Sequence, residues 1–244
     1  MEEHKIKFSI ITATYNAAAV LPRLIKSLRV QTDQDFEWVI ADGGSTDETL
    51  TLLEDAGKTL NVRIDSQPDF GIYDALNRGI RLASGDYYLV VGADDELFSA
   101  AVAEYKLACS DSGADFITAK IEAEGKIQGV RERRWEWLYG QFAYVSAHAV
   151  GLAIRRGLHE KYGFYSRKFP IAADQLFVLQ VVRGGGKVRE TDFVAGRFCP
   201  YGASGEDYLG SLLEGMRVRC LLGHGLWLQM LILAVRLARA SIRI

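Results

Sequence analysis

Two adjacent carboxylates, Asp94 and Asp95, closely follow an apolar run over residues 87–91. The run has the length and composition of a buried strand, so the pair is predicted to lie at that strand's C-terminal end. Ligands bind at this edge of an open α/β sheet. Neighbouring acids repel each other unless a divalent cation or hydrogen-bond donors lie between them and a ligand. The alternative is a solvated turn, or the cap of a helix that starts near Ser99.

Other residues able to do chemistry follow two more predicted strands. Thr14 and Tyr15 end the first strand, and Asp42 ends the second. An aromatic face, a carboxylate and an acidic pair at one sheet edge would suit the base and the phosphates of a nucleotide diphosphate. Taken singly, Tyr15 is equally well explained as a surface aromatic and Asp42 as a turn former.

Strand-like and helix-like segments alternate over the first hundred residues. This order predicts an α/β fold, with an open, mostly parallel sheet flanked by helices. Ser45 or Thr46 is expected to cap the second helix. The predicted strands are 8–13, 37–42, 62–65 and 87–91, and the predicted helices are 20–30, 47–56, 72–83 and 99–110.

Composition and simple motifs exclude several classes of function. The 244 residues are 49% hydrophobic and 25% charged, which is ordinary for one enzyme-sized globular unit, and the net charge of −2 gives no reason to expect nucleic acid binding. No Gly-x-Gly-x-x-Gly follows a strand, and residues 184–187 lack the spacing of a phosphate-binding loop. Three widely spaced cysteines and no signal-peptide core favour a cytoplasmic protein.

In their order along the chain, these motifs resemble those of the inverting glycosyltransferases of family 2, which have the GT-A fold. The resemblance implies that Asp42 contacts the nucleobase, that Asp94 lies near the ribose, and that Asp95 holds a divalent cation, Mn²⁺ or Mg²⁺, on the donor diphosphate. The matching stretches are 9–16, 41–49, 69–80, 83–88 and 93–95.

Further residues receive donor-side roles from the same resemblance. Thr14 and Tyr15 belong to the donor pocket, and Asp69, Asp74 and Asn77 fall in the segment that such enzymes place beside the donor. The stretch 71–75 looks like that of enzymes which build bacterial surface polysaccharides.

Asp174 is the candidate general base, which would remove the proton of the acceptor hydroxyl. It precedes apolar positions that predict a helix, so a role as a helix cap is the alternative. The preceding residues 163–165 resemble the base-bearing segment of these transferases. No Gln-x-x-Arg-Trp follows Asp174, so the transfer of one sugar per acceptor is expected.

Two other features concern the acceptor side. By its position, His148 resembles a histidine that contacts the diphosphate, metal or acceptor in related sequences, and a buried structural histidine is an equal alternative. A segment rich in arginine and aromatic residues, 131–144, would either line an acceptor groove or cover the sheet.

The C-terminal segment is apolar over residues 226–235 and then carries arginines at helical spacing. This stretch is shorter than the roughly 20 residues needed to span a membrane. A helix in the plane of an anionic membrane surface is expected if Gln229, Arg236, Arg239 and Arg243 form its polar side. A packing helix and a homo-oligomer seam are the alternatives.

Together these observations predict a GT-A domain over residues 1–205 and a helical appendage over 206–244. The expected activity is metal-dependent transfer, with inversion, of one sugar from a nucleotide diphosphate sugar to a glycan or lipid-linked acceptor in surface polysaccharide synthesis. The protein is expected in the cytoplasm or on the cytoplasmic face of the inner membrane. The alternatives are a binding module that has lost catalysis and a nucleotidyltransferase, which should carry a glycine-rich basic loop after its first strand.

Overall fold

The computed structural model describes residues 6–146, 148–199 and 207–241. The strands are β1 (Phe8–Thr14), β2 (Glu37–Asp42), β3 (Val62–Ser66), β4 (Tyr87–Val90), β5 (Glu96–Leu97), β6 (Phe116–Ala123), β7 (Lys126–Gln128), β8 (Leu152–Arg155) and β9 (Val188–Phe198). The α-helices are α1 (Leu21–Arg29), α2 (Thr49–Ala56), α3 (Ile72–Leu82), α4 (Ala101–Ser112), α5 (Glu136–Tyr139), α6 (Leu158–Tyr162), α7 (Ala173–Arg183), α8 (Tyr208–Leu221) and α9 (Leu226–Ser241). Short 3₁₀ helices cover 133–135, 140–143 and 149–151.

The first half of the sheet has the predicted parallel arrangement. Strand β1 pairs in parallel with β2 and β4, and β2 pairs in parallel with β3 at the edge. Every residue of β2 is buried, as expected for a strand covered by helices on both faces. The C-terminal ends of β1, β2 and β4 therefore meet at one edge, where the sequence placed the candidate site.

The second half of the sheet is mixed, with short antiparallel pairings beside one long parallel pairing. Strand β8 runs antiparallel to β4 and β6, while β6 and β9 run parallel. Strand β5 adds to β9, and β7 adds to β6, both antiparallel. The chain enters β8 from short 3₁₀ turns rather than from a crossover helix, and an antiparallel pairing needs no crossover.

Two apolar layers cover the faces of the sheet. One contains Leu24 of α1, Leu53 of α2 and Val102 of α4. The other contains Leu76 of α3 and Phe177 of α7. The helices α3 and α7 of the second layer both start at the edge formed by the C-terminal ends of β1, β2 and β4. The candidate base, in the first turn of α7, therefore lies near these strand ends.

The helix α9 has the opposite orientation to the one predicted for its polar side. Gln229 is fully buried, and its Nε2 donates to the carbonyl of Trp137 at 2.9 Å. The guanidinium of Arg236 donates to the carbonyl of Leu138 at 2.5 Å. Gln229 and Arg236 therefore face the protein, where they supply donors to these half-buried carbonyls, while Arg239 is exposed. Arg243 lies outside the described residues.

The exposed side of α9 is apolar instead. Trp227 is 81% exposed and Leu231 is 63% exposed. Among the described residues, no helix is both long and apolar enough to span a membrane. The boundary predicted at residues 205 and 206 lies outside the described residues, and the division into two parts stays a prediction.

Candidate active site

The acidic pair forms a small cradle at the end of β4. Asp95 is 1% exposed and accepts hydrogen bonds from the backbone N–H of Gly92, at 2.9 Å, and of Cys199, at 3.1 Å. A Cβ on Gly92 would lie 2.8 Å from Oδ2 of Asp95 and 2.9 Å from Oδ1 of Asp94. The two carboxylates thus converge on the space above Gly92.

Burial raises the pKa of Asp95 to about 6, and burial together with the charge of Asp95 raises the pKa of Asp94. Arg23 is the nearby cation, and its guanidinium donates to the backbone carbonyl of Asp94. Both pKa shifts show that negative charge is unfavourable here without a compensating ligand.

His148 stands beside this cradle. Its Nδ1 lies 3.7 Å from Oδ2 of Asp95, and its ring stacks on Phe198 with the centroids 3.9 Å apart. Burial lowers the pKa of His148 to about 4, so the ring is neutral at pH 7. A neutral imidazole offers a nitrogen lone pair rather than a positive charge.

The cradle fits a divalent cation that is shared with a substrate. Within the described parts of the chain, no three histidine, cysteine or acidic residues cluster closely enough to hold a metal by themselves. Mg²⁺ usually takes only one or two carboxylates from the protein and completes its shell with waters and substrate phosphates. The convergent oxygens of Asp94 and Asp95 match that pattern.

Asp42 is fully buried and already has many partners. Its carboxylate accepts from the hydroxyls of Thr14, Ser45 and Ser66 and from the backbone N–H of Gly44 and Ser45, at 2.5–3.0 Å. Burial opposes its ionisation, but these hydrogen bonds outweigh burial and lower its pKa. Asp42 and Thr14 therefore organise the loop after β2, and their direct contact with a donor stays a prediction.

Tyr15 and Asp69 lie together on the exposed side of this loop. Tyr15 is 68% exposed, and a Cβ on Gly43 would lie 3.4 Å from its ring and 2.8 Å from Oδ2 of Asp69. Asp69 accepts from the N–H of Gly71 at 2.9 Å and pairs with Arg78 at 3.5 Å. The ring of Tyr15 is available to stack on a planar ligand.

Two other predicted donor residues have structural contacts. Asp74 forms an ion pair with Arg167. Asn77 is buried and exchanges two hydrogen bonds of 2.9 Å with the backbone of Tyr165. These contacts fasten α3 to the segment before α7, and the donor role of both residues stays a prediction.

Asp174 lies in the first turn of α7, as predicted. Its Oδ1 accepts from the hydroxyl of Tyr73 at 2.6 Å, and its Oδ2 accepts from Nε2 of Gln141 at 3.1 Å. Burial and the charge of Asp174 raise the pKa of Tyr73 well above its usual range, so Tyr73 stays a donor. Since each carboxylate oxygen can accept more than one bond, Asp174 retains capacity for a substrate proton.

Another acid, Glu214, binds the backbone N–H groups just before α7. Glu214 of α8 is buried, and its Oε2 accepts from the backbone N–H of Ile171 and Ala172, both at 2.9 Å. Ala172 occupies the cap position of α7, and Asp174 lies inside the helix and makes no cap hydrogen bond, so the alternative role of Asp174 as a helix cap is wrong. The sequence analysis missed Glu214. It is the one acidic residue of α8, and a lone acid in a mainly apolar helix could have indicated a buried partner.

One cavity of about 250 Å³ connects these parts. Gly92 and His148 line one part of it, and Asp174 and Gln141 line another. From the arginine and aromatic segment, Phe142 lines the cavity, while the carbonyls of 137 and 138 bind α9. Gly92 and His148, which adjoin the acidic pair, thus line the same cavity as the candidate base.

Comparison with known proteins agrees with the fold and the motifs. The sequence model described as "Glycosyl transferase family 2" matches residues 9–168. The fold and the family match together define a glycosyltransferase of the GT-A class. Within that class, the chain belongs to glycosyl transferase family 2.

Relatives carry the same general description. A "PGL/p-HBAD biosynthesis glycosyltransferase" of Mycobacterium bovis is 50% identical over 95 residues, which cover 38% of this chain and 37% of that protein. The aligned part is thus little more than a third of that relative. An uncharacterised glycosyltransferase of Mycobacterium tuberculosis is 29% identical over 194 residues, covering 70% of this chain and 67% of the relative.

Solved structures share the fold across nearly the whole chain. Staphylococcus aureus TarS 1-349 in complex with UDP-GlcNAc matches with a TM-score of 0.71 and 21% identity, covering 95% of this chain and 72% of that one. The mannosyltransferase PcManGT of Pyrobaculum calidifontis, in complex with GDP-Man and Mn²⁺, matches with a TM-score of 0.71 and 17% identity, covering 98% and 76%.

Proposed function

We propose that this glycosyltransferase moves one sugar from a nucleotide diphosphate sugar to a hydroxyl of a glycan or lipid-linked acceptor, with inversion and with a divalent cation. The observation that carries the proposal is the single cavity lined by His148, next to the acidic cradle, and by Asp174. An acidic pair can serve a diphosphate and a separate carboxylate can serve an incoming hydroxyl. Surface polysaccharide or glycolipid synthesis in bacteria is the process it would serve.

Asp95 would hold the cation, with donor phosphate oxygens completing its coordination, and Asp94 would lie near the ribose. When bound, the cation supplies Lewis-acid stabilisation of the charge on the departing diphosphate. His148, neutral beside Asp95, would contact the diphosphate or the cation through its ring nitrogen. The neighbouring PcManGT structure contains Mn²⁺, which supports a cation here.

Asp174 would act as the general base. Hydrogen bonds from Tyr73 and Gln141 orient its carboxylate. Asp174 takes the proton of the acceptor hydroxyl while that oxygen bonds to the anomeric carbon and the bond from this carbon to the phosphate oxygen breaks. The electron pair of that bond leaves with the diphosphate, and one direct displacement inverts the anomeric centre. General-base assistance of this kind supplies about 10²–10⁴ in rate.

The nucleoside of the donor would lie over the ends of β1, β2 and β3. Tyr15 offers an exposed ring for the base, and Asp69 lies beside it. The named neighbours contain UDP-GlcNAc and GDP-Man, so both uridine and guanosine donors are candidates.

Contact with a membrane surface is the proposed role of the exposed face of α9. The face carries Trp227, Leu231 and Val235, and exposed Arg239 follows them. Apolar side chains insert at the interface of a membrane and arginine attracts anionic headgroups. This contact would bring the cavity close to a lipid-linked acceptor.

A donor screen tests the activity. UDP, GDP and dTDP sugars are added to the protein with Mn²⁺, and thermal unfolding is followed, because a ligand that binds the folded state raises the apparent stability. One donor class should raise the Tm, and EDTA should abolish the rise. Transfer is then measured with that donor as release of the nucleoside diphosphate. If no nucleotide sugar binds, the proposal is wrong.

A further inference from the structure

Gln141 carries an acceptor oxygen that the described part of the chain leaves unused. The residue is 6% exposed, lines the cavity and donates through Nε2 to Asp174. Among the described residues, its Oε1 has no hydrogen-bond partner. Buried polar atoms in native proteins are nearly always paired, so this oxygen calls for a donor from outside the described chain.

The orientation of this amide follows from its neighbour. A carboxylate only accepts hydrogen bonds, so the NH₂ group of Gln141 must face Asp174. The carbonyl oxygen must then face away from the carboxylate. It is suited to a group that donates, such as a hydroxyl, next to the hydroxyl whose proton Asp174 would take.

The rest of the cavity is mainly apolar. Its wall includes Leu76 of α3, Val90 of β4, Val145, Leu152 and Ile154 near β8, and Val178 of α7. A hydroxyl-rich sugar surface would lose hydration against these side chains without forming hydrogen bonds. An apolar group of the acceptor would gain by burial there.

We propose that the acceptor has two features: a hydroxyl beside the accepting one, which donates to Oε1 of Gln141, and an aromatic or other apolar group that occupies the cavity. This inference rests on the proposed function, because it assigns the acceptor of the same site. Gln141 is thus a specificity-determining residue for the acceptor.

The apolar part is tested with matched acceptors. Methyl and 4-nitrophenyl glycosides of one sugar are compared, using the donor found in the screen. The wild-type protein should favour the aryl glycoside by about tenfold in kcat/KM, because the ring buries apolar surface. Ala149→Leu, which narrows the cavity that Ala149 lines, should remove this preference, and Ala149→Ser should keep it. Equal use of both glycosides by the wild-type protein would overturn the inference.

The hydroxyl part is tested with acceptors that have or lack the neighbouring hydroxyl. The wild-type protein should lose about tenfold or more in kcat/KM when that hydroxyl is missing, since Oε1 is then unpaired. Gln141→Met should abolish this discrimination, whereas Gln175→Met, at another position lining the same cavity, should retain it. A purely structural Gln141 would lower both rates and leave their ratio unchanged, which would contradict the assignment.

The two proposals fail in different ways. If no nucleotide sugar is bound or consumed, the proposed function is wrong. If sugar is transferred but neither acceptor preference is seen, the glycosyltransferase stands and only the assignment of its acceptor is wrong.

Discussion

At the scale of single residues, Asp174 is held by side-chain donors. Ala172 is the cap residue of α7, and Asp174 makes no cap hydrogen bond. Glu214 binds the N–H groups of Ile171 and Ala172 just before the helix. Asp174 instead receives two side-chain donors, from Tyr73 on α3 and from Gln141. Its carboxylate is thus oriented toward the cavity rather than used to begin a helix.

Replacement of this carboxylate should separate chemistry from binding. Asp174→Asn keeps the size of the side chain but removes the proton acceptor, so transfer should fall by about 10² or more. Donor affinity, measured by calorimetry, should change little. Asp207→Asn is the matched control, because Asp207 is a true cap that accepts from the N–H of Gly210 at 2.7 Å. Near-normal turnover of Asp174→Asn would show that another group is the base.

The raised pKa of Asp95 should make the affinity for Mn²⁺ depend on pH. Burial raises this pKa to about 6, so below pH 6 a proton increasingly occupies the carboxylate that the cation needs. Donor-dependent Mn²⁺ affinity should therefore weaken by about tenfold per pH unit below pH 6 and level off above it. His148, with a pKa of about 4, stays neutral across most of this range.

Titration of Mn²⁺ in the presence of the donor, between pH 5 and 8, measures this dependence. Asp95→Ala should remove donor-dependent Mn²⁺ binding at every pH. Asp192→Ala, which removes an exposed acid paired with Lys120, should behave as wild type. An Mn²⁺ affinity that does not depend on pH, or that survives in Asp95→Ala, would exclude Asp95 as the ligand.

The candidate site residues that we identified from the sequence all lie in short local motifs. Asp94, Asp95 and Asp174 each adjoin a strand or a helix start, and Gly92 and His148 beside the pair line the same cavity as Asp174. Tyr73 and Gln141 had no such signal, because they are 101 and 33 positions from Asp174 and act only after folding. The sequence also offered no indication that nearby donors bind the carboxylate of Asp42.

Strands and helices of the first hundred residues agree with the sequence within about two positions at most ends. Strands β1, β2 and β4 are mainly apolar, whereas the edge strand β3 contains Arg63 and Asp65 and has no buried residue. The predicted cap of α2 was wrong: the helix begins at Thr49, and Ser45 and Thr46 precede it without capping it. Ser45 bonds to Asp42 and the N–H of Thr46 donates to Asn16, so both are held in the loop.

Strands beyond β4 were not assigned from the sequence. Their pairing is non-local: β6 joins β8 on one side and β9 on the other, with β8 antiparallel and β9 parallel. Burial along β9 shows no simple alternation that would mark it as a strand. Only the packing of the whole sheet selects these partners.

The helix α8 should support catalysis through Glu214. Glu214→Leu leaves the N–H groups of Ile171 and Ala172 without a partner, which should cost about 1–3 kcal/mol in the free energy of unfolding. It should also lower kcat, because the first turn of α7 carries Asp174. Glu214→Gln retains an acceptor oxygen and should have a smaller effect on both.

Urea unfolding and steady-state kinetics measure the two effects of Glu214. Leu213→Ala, at an exposed position of the same helix, is the control and should change neither quantity by much. A Glu214→Leu protein with wild-type kcat would show that this contact does not position the base.

At the scale of the whole molecule, α9 is attached to the rest of the protein by hydrogen bonds and exposes apolar side chains to solvent. Arg219 of α8 donates to Oε1 of Gln229 at 2.6 Å, and Gln229 in turn donates to the carbonyl of Trp137. Removal of α9 would break these two bonds and the bond from Arg236 to the carbonyl of Leu138. Truncation would thus damage the core, and surface substitutions are the sharper test of the outer face.

Charged substitutions on this face should abolish membrane binding without unfolding the protein. Trp227→Glu with Leu231→Glu places two acids on exposed positions, so sedimentation with anionic vesicles should be lost while Tm changes little. Leu107→Glu, at a 59% exposed position of α4, should sediment as wild type does. Wild-type binding should also fall with salt.

Two outcomes would reject the membrane assignment. The first is equal sedimentation of the double variant and the wild-type protein. The second is conversion of a dimer to a monomer by the double variant, which would identify the face as a contact between copies of the chain.

The two sides of the sheet come from successive parts of the chain. The edge β3-β2-β1-β4 is built from residues 8–90 and carries the proposed donor side, while the strands β8, β6 and β9 and the helix α7 with the proposed base come later in the chain. A recombination event shortly after position 100 would exchange the acceptor half and retain the donor half. Such a chimera must preserve the seam, formed by the β4–β8 pairing and by the contacts of Tyr73 and Asn77. Enzymes with one donor and many acceptors could diversify by this route.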